Sequence, residues 1–300
     1  MIRDTLLKQN RELYSPVIVS PYRFAGSSIT TGVFAGGSPV NTVGNIIDYI
    51  TISTTGNATD FGDLPSNQWN VSSCDDNSRG IVGVGGYAGN SQISYITIAT
   101  VGNASSFGSL TLGRRGLGGV SDNTRGVFGC GKKSNGYYDV TMDYITIQTT
   151  SNATDFGDSV QGRDTVGLDD TSRGVFAGRY TTIDYITIGS LGNATDFGDL
   201  LNSVTGQGGV SDTTRGVIAG GYSYTNVIQY ITIQSTGNAT DFGDLTVSNT
   251  VGTQGATDNI KGVWLHGSGM DYITISTTGN AADFGDATSN RQYSSAVSGG

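Results

Sequence analysis

Hydrophobic and polar residues alternate along most of this chain in short runs, and turn residues separate the runs. The string Tyr-Ile-Thr-Ile begins at Tyr49, Tyr95, Tyr144, Tyr185, Tyr230 and Tyr272. The spacings are 46, 49, 41, 45 and 42 residues. Tyr, Ile, Thr and Val favour strands, and no run in the repeated part has helical spacing. A period in the forties built from strand formers predicts the blades of a β-propeller rather than helical repeats.

Each repeat predicts four short strands. A small apolar inner strand is followed by a turn that begins with Asp and ends with Gly, which suits a tight hairpin. A second strand, a connection of variable length and the Tyr-Ile-Thr-Ile strand come next, and a turn containing Asn-Ala-Thr leads to the outer strand. Clear examples of the four strands are residues 118–120, 174–178, 183–188 and 241–245.

The two ends of the repeated region complement each other. The first copy starts with a second strand at residues 32–37, and the last copy ends with an inner strand at residues 291–297. A closed ring uses both ends, because the C-terminal strand completes the N-terminal blade and few strand edges stay exposed. The prediction is an all-β, six-bladed propeller over residues 26–300, preceded by an N-terminal arm at residues 1–25.

The arm belongs to no blade. Residues 4–13 have a weakly helical arrangement, Pro16 ends it, and residues 17–19 are predicted to be extended. We expect the arm to anchor the propeller to another subunit, and a disordered tail is the alternative. The anchoring residues would be Leu6, Leu7, Leu13, Tyr14, Val17 and Val19.

Two resemblances follow from these motifs. Gly-Gly after a strand at 36–37, 85–86 and 220–221, then a Tyr-bearing strand, then an aromatic residue, resembles the kelch repeat. Phe replaces the usual Trp, and the spacing from Tyr to the aromatic residue is longer. The phrase Asp-Tyr-Ile-Thr-Ile-x-x-Thr-Gly-Asn-Ala-Thr-Asp-Phe-Gly-Asp is similar to repeats in structural and tail-associated proteins of marine bacteriophages, over about residues 27–300. These resemblances imply a kelch-like fold and a virion component.

Charge and composition narrow the possible functions. The net charge is −9, which disfavours nucleic-acid binding because the dominant electrostatic attraction is missing. Neither a signal peptide nor a membrane-spanning run is evident, so we expect assembly in the host cytoplasm and no membrane insertion. Two cysteines cannot form a tetrahedral zinc site, and a single histidine, His266, removes Ser-His-Asp catalysis and copper oxidase chemistry.

The repeated polar residues have both structural and functional interpretations. The paired Asp residues of Asp-Phe-Gly-Asp could bind Ca²⁺, but copy two has Ser106 and Ser109 there, which favours turn capping. A basic residue recurs at one position of the repeat. It could bind acidic sugars, or it could pair with a nearby Asp in its hairpin, and its presence in nearly every copy favours the structural pairing. These cations are Arg79, Arg125, Arg173, Arg215 and Lys261. We predict no catalytic residues, no metal and no cofactor.

Functional residues are expected where the copies differ. The connections between second and third strands, and the links from each outer strand to the next inner strand, fall on one face of the ring. Rigid aromatic residues among polar neighbours are typical of recognition surfaces, although solvated loops without a partner are the alternative. The predicted binding face contains Trp69, Tyr87, Arg114, Arg115, Lys132, Lys133, Tyr137, Tyr138, Arg163, Tyr180, Tyr222 and Tyr224.

The sequence therefore predicts a non-enzymatic structural or adhesion component of a bacteriophage virion. It would contact other virion proteins through the arm and present its variable face to a partner protein, a receptor or a host glycan. An intracellular kelch-like interaction scaffold is the alternative, and a carbohydrate-active enzyme is a minor one.

Overall fold

The computed structural model describes residues 29–37, 44–85, 89–203, 205–222, 225–248 and 255–300. The predicted arm lies outside these residues. All regular structure in the described part is β, and none of it is a helix able to cross a membrane. Six sheets form the six blades of a propeller, as predicted.

The blades follow the chain, and in blades two to six the first strand lies innermost. Blade one contains β1 (Thr31–Ala35), β2 (Ile46–Thr51) and β3 (Thr59–Asp63). Blade two contains β4 (Ser72–Asp75), β5 (Arg79–Val84), β6 (Gln92–Thr97) and β7 (Ser105–Ser109). After the short β8 (Arg114–Arg115), blade three contains β9 (Gly118–Ser121), β10 (Arg125–Gly129), β12 (Thr141–Thr146) and β13 (Thr154–Asp158), and it is interrupted by β11 (Lys132–Lys133).

The second half of the ring repeats this plan. Blade four contains β14 (Val166–Asp169), β15 (Arg173–Gly178), β16 (Tyr180–Thr187) and β17 (Thr195–Asp199). Blade five contains β18 (Gly208–Ser211), β19 (Arg215–Ala219), β20 (Val227–Thr232) and β21 (Thr240–Asp244). Blade six contains β22 (Ala256–Thr257), the long β23 (Lys261–Thr274) and β24 (Ala282–Arg291). The last strand, β25 (Ser295–Gly299), belongs to blade one.

Ring closure occurs as the ends of the sequence predicted. Strand β25 pairs antiparallel with β1, and Val297 lies opposite Val33. The resulting sheet has the order β25-β1-β2-β3. The C-terminal strand therefore supplies the inner edge that the N-terminal blade lacks.

The hydrophobic core lies between neighbouring blades. In blade one, Ile50 and Ile52 are buried, whereas Tyr49 is half-buried and packs edge-on against Phe61 of the outer strand. All six Tyr–Phe pairs repeat this geometry, with ring centroids 6.0–6.2 Å apart. Core clusters join residues of adjacent blades, as where Ile81 of blade two and Phe128 of blade three share one cluster. The repeated aromatic and aliphatic residues therefore bury the flat faces of the blades.

The Asn of the Asn-Ala-Thr turn connects each blade to the one before it. The Asn103 side-chain oxygen accepts a hydrogen bond from the Asp63 N–H at 3.0 Å. This acceptor therefore serves the adjacent blade rather than its own turn. The bond occurs in all six copies at 3.0–3.1 Å, as Asn57–Asp286, Asn103–Asp63, Asn152–Ser109, Asn193–Asp158, Asn238–Asp199 and Asn280–Asp244.

The recurrent cation also bridges blades. The Arg79 guanidinium lies 4.5 Å from the centre of the Tyr95 ring and donates a hydrogen bond to the Ile147 carbonyl of the next blade at 3.1 Å. The predicted pairing of this side chain with a hairpin Asp is wrong, because Asp76 accepts from the Arg79 backbone N–H instead. The same bridge is formed by Arg125, Arg173, Arg215 and Lys261. These repeated polar residues therefore hold the ring together.

Candidate functional site

The variable segments meet at one end of the central channel, around a cavity of about 230 Å³ that we term the mouth pocket. In five of the six blades, the residue that directly precedes the inner strand forms part of its floor. The links between blades and the connections after the second strands form its walls, which confirms that both kinds of segment share one face. The described floor residues are Val71, Leu117, Thr165, Gln207 and Ser294.

One wall of the mouth pocket is aromatic. The rings of Trp69 and Tyr293 meet edge-on, with centroids 5.6 Å apart. The Arg115 guanidinium lies over the Trp69 ring at 4.9 Å from its centre. These side chains come from two links that are distant in sequence, so the ring closure brings them together.

A two-stranded sheet positions the cations. Strands β8 and β11 pair antiparallel with Lys132 opposite Arg115, so both residues reach the mouth pocket. The Lys132 ammonium lies 5.3 Å from the centre of the Tyr138 ring. The pocket is therefore cationic and aromatic, although the chain as a whole carries a net charge of −9.

Tyr138 and Asp164 also line the mouth pocket, and they form a hydrogen-bonded cluster with Arg179. The Tyr138 hydroxyl donates to the Asp164 carboxylate at 3.2 Å and accepts from the Arg179 guanidinium at 2.6 Å. Burial, together with the negative charge of Asp164, raises the pKa of Tyr138 to about 12. Burial also raises the pKa of Asp164, although Tyr138 and Arg179 act in the opposite direction. The cluster therefore fixes the Tyr138 ring.

The backbone at Tyr293 adopts a conformation that a bulky residue avoids. Its φ is +60°, and the equivalent residues of blades three and five are glycines, Gly116 and Gly206, at +67° and +69°. Left-handed backbone costs an L-residue roughly 1–2 kcal/mol. Strain of this kind concentrates at functional sites. The ring of Tyr293 is therefore placed beside Trp69 at a cost to the fold.

The structure brings together five of the predicted binding residues. Trp69, Arg115, Lys132, Tyr138 and Tyr222 all line the mouth pocket. Tyr137, Tyr180 and Lys133 do not line it: Tyr137 is 72% exposed, Tyr180 lies beside Arg179, and Lys133 pairs with Asp139 at 2.6 Å. Tyr87 and Tyr224 lie outside the described residues, as do the predicted anchoring residues Leu6, Leu7, Leu13, Tyr14, Val17 and Val19.

The assignment of Arg114 and Arg163 to the binding face is wrong. Both are 0% exposed. Arg114 forms an ion pair with Asp143 at 2.5 Å, and Arg163 pairs with Asp184 at 3.0 Å. Each link turns its arginine inward to a carboxylate at the bulge of the third strand, where the register shifts. These arginines therefore support the blades and cannot contact a partner.

Four residues that line the pocket were not predicted from the sequence: Asp164, Gln207, Tyr293 and Ser294. The sequence predicts Tyr293 within the last inner strand, although it lies in the link before β25. Alignment of the links by their distance from the inner strand would have placed it opposite glycines in other copies. No sequence signal separates Gln207 or Ser294 from ordinary polar link residues.

The other end of the channel has a different character. Every inner strand contributes a polar residue at or next to its C-terminal end to the lining, and two of these six residues are acidic. The Asp75 carboxylate accepts the Ser298 N–H at 2.9 Å, and the Asp169 carboxylate accepts the Ser121 N–H at 3.0 Å. Burial raises the pKa of Asp75 to about 6 and that of Asp169 to about 7, and their mutual repulsion adds to the Asp169 shift. The full set is Asp75, Ser121, Asp169, Ser211, Thr257 and Ser298.

Of three comparisons with known proteins, only the comparison with solved structures found a match, and it concerns the fold alone. No known protein family matches the sequence, and no curated protein matches it. Among solved structures, that of YjhT is similar over 78% of this chain and 88% of its own, with a TM-score of 0.62 and 9% sequence identity. Similarity at this identity shows a shared propeller architecture.

Proposed function

We propose that this chain is a non-enzymatic recognition module, a structural or adhesion component of a bacteriophage virion. It presents the mouth pocket to a partner protein or a host glycan. The observation that carries the proposal is the convergence of Trp69, Tyr138, Tyr222 and Tyr293 on one cavity. Concave sites with aromatic walls and a few placed polar groups are typical of ligand binding.

A binding role fits the pocket better than a catalytic one. A general acid or base works best with a pKa near the operating pH. The pKa of Tyr138 is about 12, and Asp164 is engaged by both Tyr138 and Arg179. The Tyr138 hydroxyl is therefore not poised to exchange a proton with a substrate at neutral pH. Aromatic rings with cations stacked on them are instead suited to holding a ligand.

The similarity of the repeats to those of phage tail-associated proteins supports the virion setting. A rigid ring held by polar contacts at each blade junction also suits a module that displays loops outside a cell. The predicted arm would attach it to other virion proteins. Each support concerns a different part of the chain, so each needs its own test.

The first experiment asks where the protein resides. Purified particles and clarified lysate of the producing culture are probed with an antibody to the propeller. Detection at constant stoichiometry in particles is expected, whereas protein found only in lysate would instead indicate an intracellular scaffold.

The second experiment asks what the mouth pocket does. Fluorescently labelled propeller is applied to host cells, and adsorption of Trp69→Ala and Tyr293→Gly is compared with that of wild type. Both variants should adsorb at least tenfold less. Tyr137→Ala is the matched control, because Tyr137 is an exposed tyrosine outside the pocket. Equal adsorption by all four proteins would refute a role for the pocket.

A further inference from the structure

The floor of the mouth pocket contains polar atoms that lack partners. Gln207 is 4% exposed and Ser294 is 2% exposed, and both line the cavity. The Gln207 side-chain oxygen and the Ser294 hydroxyl have no hydrogen-bond partner within the described part of the chain, and the same holds for one oxygen of Asp164. Buried polar groups are nearly always satisfied, so such atoms in a cavity indicate something that fills it.

The unsatisfied atoms define the chemistry of the missing partner. The Gln207 side-chain oxygen is an acceptor only, and so is the Asp164 oxygen when its carboxyl group is ionised. The Ser294 hydroxyl can donate or accept a hydrogen bond. A fitting ligand therefore presents several donors along one edge. Hydroxyl groups satisfy this need without adding charge.

The remaining surfaces select the shape of the ligand. Val71 and Leu117 make the other half of the floor apolar, and the Trp69 and Tyr293 rings form a flat-sided wall. A cavity of about 230 Å³ lies below the size usual for drug-sized ligands, so it admits one small ring or one side chain. The ligand must combine an apolar face with a polar edge.

Electrostatics argue against a basic peptide side chain, which would also offer several donors. Arg115 and Lys132 lie on the pocket wall, and Arg179 is 3.9 Å from Asp164. The positive charges of these side chains would repel a further cation that entered the pocket. A neutral or acidic donor-rich ring remains.

We propose that the mouth pocket holds a single saccharide ring. Its hydroxyls bond Gln207 and Ser294, and its apolar face packs on Trp69 and Tyr293. This inference rests on the proposed recognition function and names its ligand class. The shared chemistry is that of a pyranose, whether it is a free sugar or the terminal residue of a glycan chain.

Saturation-transfer NMR tests the proposal on the full chain. The probes are glucose, galactose, mannose, N-acetylglucosamine and glucuronic acid, each as the free sugar and as its methyl glycoside. Saturation of ring protons is expected for at least one sugar. Binding of the glycoside indicates a glycan terminus, and binding of the free form alone indicates a small sugar. Absence of transfer to every probe would overturn the saccharide assignment.

Two variants tie the signal to the floor. Gln207→Leu and Ser294→Ala should each weaken binding of the responding sugar on the order of tenfold. Because neither side-chain oxygen has a protein partner, neither substitution should lower the melting temperature, which a purely structural role would do. Tyr137→Ala should bind as wild type does. Sugar binding unchanged in both floor variants would place the sugar elsewhere and refute the proposal.

The test of sugar binding can fail independently of the test of cell adsorption. If no sugar binds but Trp69→Ala still loses adsorption to cells, recognition by the pocket stands and the ligand is not a saccharide. If sugars bind but adsorption is unchanged, the saccharide site stands and the adhesion role fails.

Discussion

The buried ion pair between Arg114 and Asp143 is the contact whose disruption should be most costly, and the repeat supplies its own control. Arg114 also donates hydrogen bonds to the carbonyls of Cys130 and Thr141, and both charged side chains are fully buried. At the equivalent positions, four residues before the inner strand and just before the Tyr of the third strand, blade two has Gln68 and Ser94. The same framework therefore accepts either a charged pair or two neutral polar residues at these positions.

The expected magnitudes follow from burial. Arg114→Gln leaves the Asp143 carboxylate buried with Thr111 as its remaining side-chain partner, which should cost about 3–5 kcal/mol. Scaling by the entropy of unfolding, the melting temperature should fall on the order of 10 °C. Arg114→Gln combined with Asp143→Ser copies blade two and removes both charges. This double variant should cost about 1–2 kcal/mol, because no buried charge is left without a partner.

Equilibrium unfolding in urea, with thermal melts followed by circular dichroism, measures these differences. Single and double variants complete a double-mutant cycle. The coupling energy should be at least about 2 kcal/mol, because the double variant should cost about that much less than Arg114→Gln alone, and Asp143→Ser alone should be destabilising as well. If the double variant loses as much stability as the two single variants together, an unpaired buried charge is not the cause of the destabilisation in Arg114→Gln. If Arg114→Gln alone costs under about 1 kcal/mol, the pair is not the structural contact that its geometry implies.

Three further predictions concern other parts of the ring. Asn103→Ala removes the hydrogen bond between blades one and two and should lower the free energy of unfolding by about 1 kcal/mol. Asn103→Asp keeps an acceptor and should lower it less. The midpoints of urea unfolding measure the difference. Tyr293→Gly relieves backbone strain, so its stability should stay within about 1 kcal/mol of wild type while cell adsorption falls; a melting temperature many degrees lower contradicts this. Because the pKa values of Asp75 and Asp169 are raised in the fold, the folded state binds protons more tightly than the unfolded one, and stability should fall as pH rises from about 4 to about 7. Thermal melts should show Asp169→Asn to be more stable than wild type at pH 8 and less sensitive to pH, and an unchanged profile would refute this.

The ring and its closure could be predicted because they are written in repeated, local signals. Six Tyr-Ile-Thr-Ile strands and two complementary ends leave few alternatives to a closed propeller. The bridges between blades could not be assigned in the same way. The Asn103 turn and the Arg79 hairpin each have a plausible local partner in the sequence, whereas the structure uses the neighbouring blade. Periodicity identifies a repeated residue, but it does not reveal whether the contact lies within one repeat or between two.

Arg114 and Arg115 show why the site was predicted only in part. They are adjacent and chemically identical, and both lie in β8, where successive side chains point to opposite sides. Arg114 turns to Asp143 in the interior, and Arg115 turns to Trp69 in the mouth pocket. The sequence offered a signal, because blade two departs from the pattern of blade three at both positions. It has Ser94 where blade three has Asp143, and Gln68 where blade three has Arg114. Paired departures from a repeat indicate contact within the fold, whereas single departures leave a residue available for binding.

Tyr293 is a departure of the second kind. The link before the inner strand adopts left-handed backbone in blades one, two, three and five, so the turn demands it whatever residue is present. Gly116 and Gly206 meet that demand without strain, and Asn70 is among the residues that tolerate it best. Folding alone would favour glycine at Tyr293 too. The aromatic ring instead faces Trp69 across the mouth pocket, beside floor atoms that lack partners. A side chain that costs the fold energy and lines an unsatisfied cavity is best explained by what the cavity binds.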